Sequence, residues 1–290
     1  MTNRREFLTQ AGMLGAGLML APQLLSAKTN AVAGLQLYTL RDQLPKDVKG
    51  VIAKVAEAGY KEVEVFGYSK DKGFWGLSAV EFKKLLDQHG LKSPSGHYGM
   101  DQLLADGTFT ELDDAIAAAK MLGHQYVTMP YVNAKFRRTA ADVEKLIAKI
   151  NIAAERIHQA GLKMAYHNHD FEFTEIEGVP LYSSLLKGAN PKLVDFEMDL
   201  YWVVRAGQDP VKLFDAHPGR FTMVHVKDMD KQDPKLNTEV GSGSINFQQI
   251  LAKAKVAGIK HYIVEQENFK IDPYVSIQQS SKYLRTVLLA

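Results

Sequence analysis

The sequence predicts a (β/α)8 barrel, and three observations carry that prediction. Strand-like and helix-like segments alternate eight times; five helical stretches close with a glycine just before the next strand; and the pattern fills roughly 260 of the 290 residues, close to the ~250 usual for such a barrel. A doubly wound open sheet is the competing α/β arrangement. No Gly-x-Gly-x-x-Gly follows the first strand and no Gly-x-x-x-x-Gly-Lys occurs anywhere, which leaves that alternative without its phosphate-binding loops.

In chain order, the first apolar run predicts a strand over Leu35–Tyr38, followed by a helical pattern over Asp47–Ala58 that Gly59 closes. A strand over Glu62–Phe66 leads into a helix over Ser78–His89 closed by Gly90, and a strand over Leu91–His97 into a helix over Phe109–Leu122 closed by Gly123. The fourth unit pairs Tyr126–Met129 with Ala140–Ala160 and Gly161; the fifth pairs Lys163–His167 with Pro180–Leu186. The last three pair Leu193–Asp199 with Pro210–Ala216, Phe221–Val226 with Phe247–Ala257 and Gly258, and Tyr262–Glu265 with Pro273–Leu289. Each glycine stands where a left-handed helix cap is needed.

Hydrophobic residues make up 46% and charged residues 23% of the chain, a globular composition that excludes disordered and fibrous classes. The formal charge of +2 comes from 35 basic and 33 acidic residues without a long run of one sign, so no nucleic-acid partner is expected. With no cysteine there are no disulfides, thiolate metal sites, iron–sulfur clusters or cysteine nucleophiles, and any metal must be held by nitrogen and oxygen.

Residues 1–27 read as an address. Arg4-Arg5 precede Phe7-Leu8 and an apolar stretch from Ala11 to Ala21, then Pro22 and a small-residue tract ending near Ser26-Ala27. That order resembles a bacterial twin-arginine export signal. Its apolar run of 11 residues is short of the ~20 that span a bilayer. The expectation is a signal peptide over 1–27, one catalytic domain over 28–290, a periplasmic location and no stable membrane insertion.

In a barrel the chemistry sits at the carboxyl ends of the strands, and residues two apart on a strand point the same way. Those ends carry Glu62 and Glu64, His97, His167 and His169, Glu197 and Asp199, His225 and Lys227, and Glu265 and Glu267. Carboxylates converging on one cup repel each other, and a divalent ion held by imidazole and carboxylate answers that repulsion. The best four ligands are His167, Asp199, His225 and Glu265, from strands five to eight in turn. Manganese, cobalt, zinc, iron and magnesium all accept such donors. A hydrogen-bonded network without metal is the alternative.

A family resemblance is carried by Leu35-Gln36-Leu37-Tyr38-Thr39-Leu40-Arg41, Tyr166-His167-Asn168-His169-Asp170-Phe171-Glu172-Phe173, Met198-Asp199-Leu200-Tyr201-Trp202, His225-Val226-Lys227-Asp228, Gly241-Ser242-Gly243-Ser244-Ile245-Asn246-Phe247 and Val264-Glu265-Gln266-Glu267. Through them residues 32–290 resemble the sugar phosphate isomerase/epimerase family. This xylose isomerase-like TIM barrel group includes tagatose and allulose epimerases, inosose dehydratases and endonuclease IV. In the epimerases, one metal is held by glutamate, aspartate, histidine and glutamate from strands five to eight. Asp199, His225 and Glu265 match the last three, and His167 stands where the first glutamate would. The resemblance thus implies one divalent metal ion and, as in relatives, self-association into a homo-oligomer.

The implied chemistry is proton abstraction next to a carbonyl, with a Lewis acid stabilising the enediolate. Glu265 or a nearby imidazole is the base; His167 or His169 can carry a proton to a leaving group, or Glu172 reaches back from the following loop. Because the chain carries an export signal, the expected substrate is an unphosphorylated keto sugar or glycoside. The expected function is an isomerase or epimerase. The alternatives are a lyase or dehydratase eliminating from a 3-keto-glycoside or inosose, and a periplasmic sugar-binding protein without turnover; the near-neutral charge argues against phosphodiester cleavage.

Glu64, His97, Lys227, Trp202 and Glu267 are the candidate substrate contacts. Lys227 reads equally as an ion-pair partner of Glu197 or Glu267, and Trp202 and Tyr201 as core. Phe74-Trp75-Gly76 likewise reads as a sugar-stacking surface or as core, and its surroundings, Gly67–Gly73, suggest a mobile flap over the mouth. Gly241-Ser242-Gly243-Ser244 offers backbone amides to an anion or caps a helix through Ser244 or Asn246. His89, His124, His158, His217 and His261 carry no functional reading.

Overall fold

Eight parallel strands close into a barrel in the computed structural model, which describes residues 31–290; the export reading of residues 1–27 lies outside them. The strands are β1 (Ala33–Gln36), β2 (Glu62–Val65), β3 (Lys92–His97), β4 (Tyr126–Met129), β5 (Lys163–His167), β6 (Val194–Asp199), β7 (Phe221–Val226) and β8 (His261–Val264). Each pairs with its neighbours in sequence, and β1 joins β8 through Ala33↔Tyr262, Gly34↔Ile263 and Leu35↔Val264.

The helices lie outside this cylinder. The five glycines expected to end helices all take positive φ, between 64 and 93°. Capping boxes start Ala79–Gln88, where Ser78 and Glu81 exchange bonds, and Ala140–Gln159, where Thr139 and Asp142 do. The first strand stops at Gln36, earlier than expected, because the Gln36 side chain accepts from Tyr38 N at 3.0 Å and turns Leu37–Leu40 into a 3-10 helix. The helix expected over Phe247–Ala257 is two pieces, Phe247–Leu251 and Ala254–Ala257. Two short helices, Asp101–Asp106 and Leu200–Arg205, and two hairpins of two-residue strands were not read from the sequence.

The main apolar core fills the layer between strands and helices. Inside the barrel a separate plug of Tyr126, Ala165, Met223 and Ile263 divides two polar levels. Below it Glu62 meets His261 at 2.9 Å and Lys163 meets Asp195 at 2.6 Å. Above it Glu64, His97, His167, Glu197, Asp199 and His225 are all ionisable and turned inward, which is costly unless each group is paired. Among the described residues no helix is long and apolar enough to cross a membrane.

Candidate active site

Period-two alternation aims His167, Glu197 and Asp199, His225, and Glu265 of the segment after β8, into the upper barrel. Asp199, His225 and Glu265 present donor atoms within 4.8 Å of one another. His225 Nδ1 lies 3.2 Å from Glu265 Oε2 and 3.8 Å from Asp199 Oδ2. Asp199 serves two structures at once: Oδ1 accepts from Tyr201 N and Trp202 N, starting the helix Leu200–Arg205, while Oδ2 is buried with no hydrogen-bond partner. Burial, reinforced by Glu265, raises the Asp199 carboxyl to about 7. Glu265 stays well below the usual carboxylate range: Lys227 and His225 outweigh its burial.

One level down are Glu64 and Glu197, both fully buried. Glu64 takes Gln36 Nε2 at 2.7 Å, Ser95 Oγ at 2.6 Å and His225 Nε2 at 2.8 Å. Glu197 Oε2 lies 3.0 Å from His167 Nδ1 and 2.8 Å from His97 Nε2. Burial works against a charge on His97, but Glu64 and Glu197 prevail and raise it to about 10. For His167 burial prevails, aided by His225 and His97, and lowers it to about 4; burial and His167 take His169 to about 2. The neutral imidazoles of His167 and His169 therefore have lone pairs to offer at neutral pH.

A cavity of about 480 Å³ opens above these groups, lined by Tyr38, Phe66, His97, Tyr131, His167, His169, Trp202, Glu265 and Glu267. Among the described residues that line it there is no lysine or arginine. Lys227 is fully buried beneath, bonded to Glu265 Oε2 at 3.1 Å and to Glu267 Oε1. It is an ion-pair partner, as one of its two readings had it, and not a substrate contact.

Other expectations are corrected by position. Glu172 is not in the cavity: Tyr166 points outward from β5, and its hydroxyl meets Glu172 Oε1 at 2.9 Å, while His169 N donates to Oε2 at 2.8 Å. Its carboxylate holds the turn behind the site. Glu64 lies below the reach of a substrate, and Glu62 sits at the opposite end of its strand. Phe74 is fully buried and stacks on Phe82, with Trp75 packed against Phe66 and Phe82, so these two rings belong to the core rather than to a sugar-stacking surface. The glycine–serine loop does bind an anion, the protein's own: Gly241 N, Gly243 N, Ile245 N and Met229 N all donate to Asp228. Asn246 caps the next helix.

His97, His167, His169, Trp202, Glu265 and Glu267 do converge as expected. Sequence reasoning passed over Gln36, Ser95 and Thr128, neutral residues at inward strand positions, and Asn168, whose Oδ1 accepts from Asp199 N at 3.2 Å. The signal for the first three was the period-two register already used for the charged groups.

The residues present fit a divalent ion. Asp199 Oδ2 is a buried acceptor without a bond, His225 offers Nδ1 and Glu265 offers Oε2, a nitrogen and oxygen set with an unmet demand. Among the described residues six buried side-chain atoms lack a hydrogen-bond partner, and four of them, His169 Nδ1, Glu197 Oε1, Asp199 Oδ2 and Trp202 Nε1, gather here. Buried polar atoms are rarely left unpaired, so four in one region set it apart from the rest of the interior.

Residues 52–287 match the xylose isomerase-like TIM barrel family, and the chain belongs to it. The chain is 23% identical to an inosose dehydratase of Lacticaseibacillus casei over 49% of its own length and 53% of the relative's, so the match spans about half of that enzyme. It is 23% identical to an inosose dehydratase of Salmonella agona over 83% of this chain and 88% of that protein. A crystal structure of a sugar phosphate isomerase/epimerase from Parabacteroides distasonis superposes with a TM-score of 0.78 at 28% identity, covering 93% of this chain and 99% of that one.

Proposed function

We propose that this member of the xylose isomerase-like TIM barrel family is a divalent-metal-dependent enzyme of sugar metabolism. It removes the proton next to a carbonyl in an unphosphorylated keto sugar or glycoside, ending in isomerisation or epimerisation. The observation that carries this reading is the group of unbonded polar atoms around Asp199, His169 and Trp202 at the floor of an aromatic-walled cavity. Asp199, His225 and Glu265, with His167 as the fourth ligand, would hold the ion. A divalent ion there supplies Lewis-acid stabilisation of the negative charge that develops on the carbonyl oxygen.

The chain's own groups do the rest. Glu265, ionised under the influence of Lys227 and His225, accepts the proton. His169, neutral and with Nδ1 buried without a hydrogen bond, lines the same cavity and relays a proton to or from the sugar. Trp202 Nε1 and the Glu267 carboxylate, the latter steadied by Lys227, take sugar hydroxyls. The lack of basic side chains in the lining supports a substrate without a phosphate. Export through the signal over residues 1–27, cleavage to leave 28–290 as the working domain, and homo-oligomer formation belong to this proposal.

A second reading is favoured by one feature: His167 stands where the resemblance to the epimerases would put the first glutamate, and it lines the same cavity as Glu265. An imidazole suits protonation of a departing β-substituent, which makes the enzyme a dehydratase or lyase on an inosose or 3-keto-glycoside; the similarity to inosose dehydratases supports it. Metal content of wild type, His167→Ala and Glu265→Ala, measured beside deuterium uptake by a panel of keto sugars, tests the proposal. One equivalent of metal in the wild type, lost in both variants, with metal-dependent exchange is the expected result; recovered labelled sugar indicates epimerisation and loss of water indicates elimination. Neither metal nor exchange in the wild type overturns it.

A further inference from the structure

We infer that Glu64 and Glu197 are positioning residues that set the tautomers of both imidazole ligands, so that His225 offers Nδ1 and His167 offers Nε2 to the ion; this rests on the metal reading proposed above. An imidazole binds a cation through one nitrogen only when the other carries the proton, and a fixed acceptor decides which one that is. His225 has Nε2 at 2.8 Å from Glu64 Oε2, leaving Nδ1 toward Asp199 and Glu265. His167 has Nδ1 at 3.0 Å from Glu197 Oε2, leaving Nε2 free.

The two carboxylates are themselves fixed. Glu64 is held by Gln36 and Ser95, and Ser95 Oγ in turn lies 2.7 Å from Thr128 Oγ1. His97 Nε2 lies 2.8 Å from Glu197 Oε2 and 3.1 Å from Glu64 Oε2, so one imidazole clamps both acids. Packing alone gives no reason to bury two carboxylates here. Two ligands that must each be held in one tautomer do.

The same neighbourhood offers a rival: His97, His167, Glu197 and His225 also present donors within 4.8 Å of one another. In that lower set the carboxylate oxygen turned to the imidazoles is already engaged, although Glu197 Oε1 is left without a hydrogen bond. Glu197 Oε2 stands 2.8, 3.0 and 3.3 Å from three imidazole nitrogens, whereas Asp199 Oδ2 has no hydrogen bond.

The test is calorimetric titration of Co2+ into the chelator-treated protein for wild type, Glu64→Gln, Glu197→Gln and Asp199→Asn, with the visible Co2+ spectrum recorded at saturation. Glu64→Gln and Glu197→Gln are expected to bind Co2+ about 10- to 100-fold more weakly with an altered spectrum, and Asp199→Asn to lose stoichiometric binding. Wild-type affinity in both glutamine variants overturns the inference while leaving the metal reading intact. Retained binding in Asp199→Asn with loss in Glu197→Gln also overturns it, by moving the ion to the lower set. A wild type that takes up no Co2+ overturns the metal reading and this inference with it. If a glutamine variant does not fold, 15N histidine spectra of the Zn2+-loaded wild type decide: protons on His225 Nε2 and His167 Nδ1 support the assignment, and the opposite tautomers refute it.

Discussion

Glu172 and Asp199 are both buried carboxylates raised to about 7, foremost by burial, yet their neighbours give them opposite jobs. Glu172 has both oxygens bonded, to Tyr166 OH and His169 N, and faces away from the cavity. Its raised value means the folded protein binds a proton there that the unfolded chain releases above its ordinary 4.5. This contribution is therefore full below about 4.5 and is lost as pH rises through about 7. Urea midpoints of the wild type should fall across that window, by up to about 3 kcal/mol in stability, and Glu172→Gln should flatten the fall. A variant that follows the wild-type profile removes Glu172 as its source. Asp199 Oδ2, by contrast, has nothing to hold. Asp199→Asn and Glu265→Gln should each lower turnover by a hundredfold or more, on the order of 3 kcal/mol, while metal analysis shows the ion gone. Side-chain type and spacing brought Asp199 and Glu265 together with His225, whereas His167, the fourth of the expected set, has its donors grouped with those of His97, Glu197 and His225. They misplaced Glu172 because a residue beyond the end of a strand has no register to say whether it turns into the barrel or out to the helices.

The connection after β7 shows how an element is built around one buried acid. Asp228 gathers four backbone N–H groups from two stretches of the same loop and thereby sets the path that leads from Lys227 to the helix Phe247–Leu251. A Cβ on Gly243 would stand 2.2 Å from Asp228 Oδ1 and 2.3 Å from Met229 O. Gly243→Ala should thus cost about 1–3 kcal/mol in chemical denaturation, and Asp228→Asn, which turns an amide group toward donors, a similar amount; unchanged midpoints would mean the loop is held by other contacts. The sequence pattern located this loop but left its anion open, since amides that could cradle a ligand and amides that cradle a nearby aspartate read alike. Helix ends closed by glycine were legible because only one backbone conformation suits them. The end of β1 and the helix Leu200–Arg205 were not, because each depends on one side chain, Gln36 or Asp199, bonding to the backbone just after it.

The barrel as a whole was legible because eight repeats of one unit leave few ways to bury their apolar faces. What the repeats cannot show is that the upper interior is a single charged network, with Glu64, His97, Glu197 and His225 linking β2, β3, β6 and β7. The proposed ligand set, drawn from β5, β6, β7 and the segment after β8, would couple ion binding to barrel closure, since the unfolded chain cannot bring those donors together. An ion that binds only the folded form stabilises it by about 2.7 kcal/mol at a hundredfold excess over its dissociation constant. For a chain of this size that corresponds to a rise in melting temperature of about 5 °C. Calorimetric melting of the chelator-treated protein, with and without added Mn2+, should show this rise in the wild type and lose most of it in Glu265→Gln. A protein built only to bind sugars would do the reverse: its melting temperature would respond to sugar and ignore the metal. An equal metal-induced rise in wild type and variant would place the ion away from Glu265. Melting therefore tests whether the ion belongs to the architecture, separately from whether it takes part in turnover.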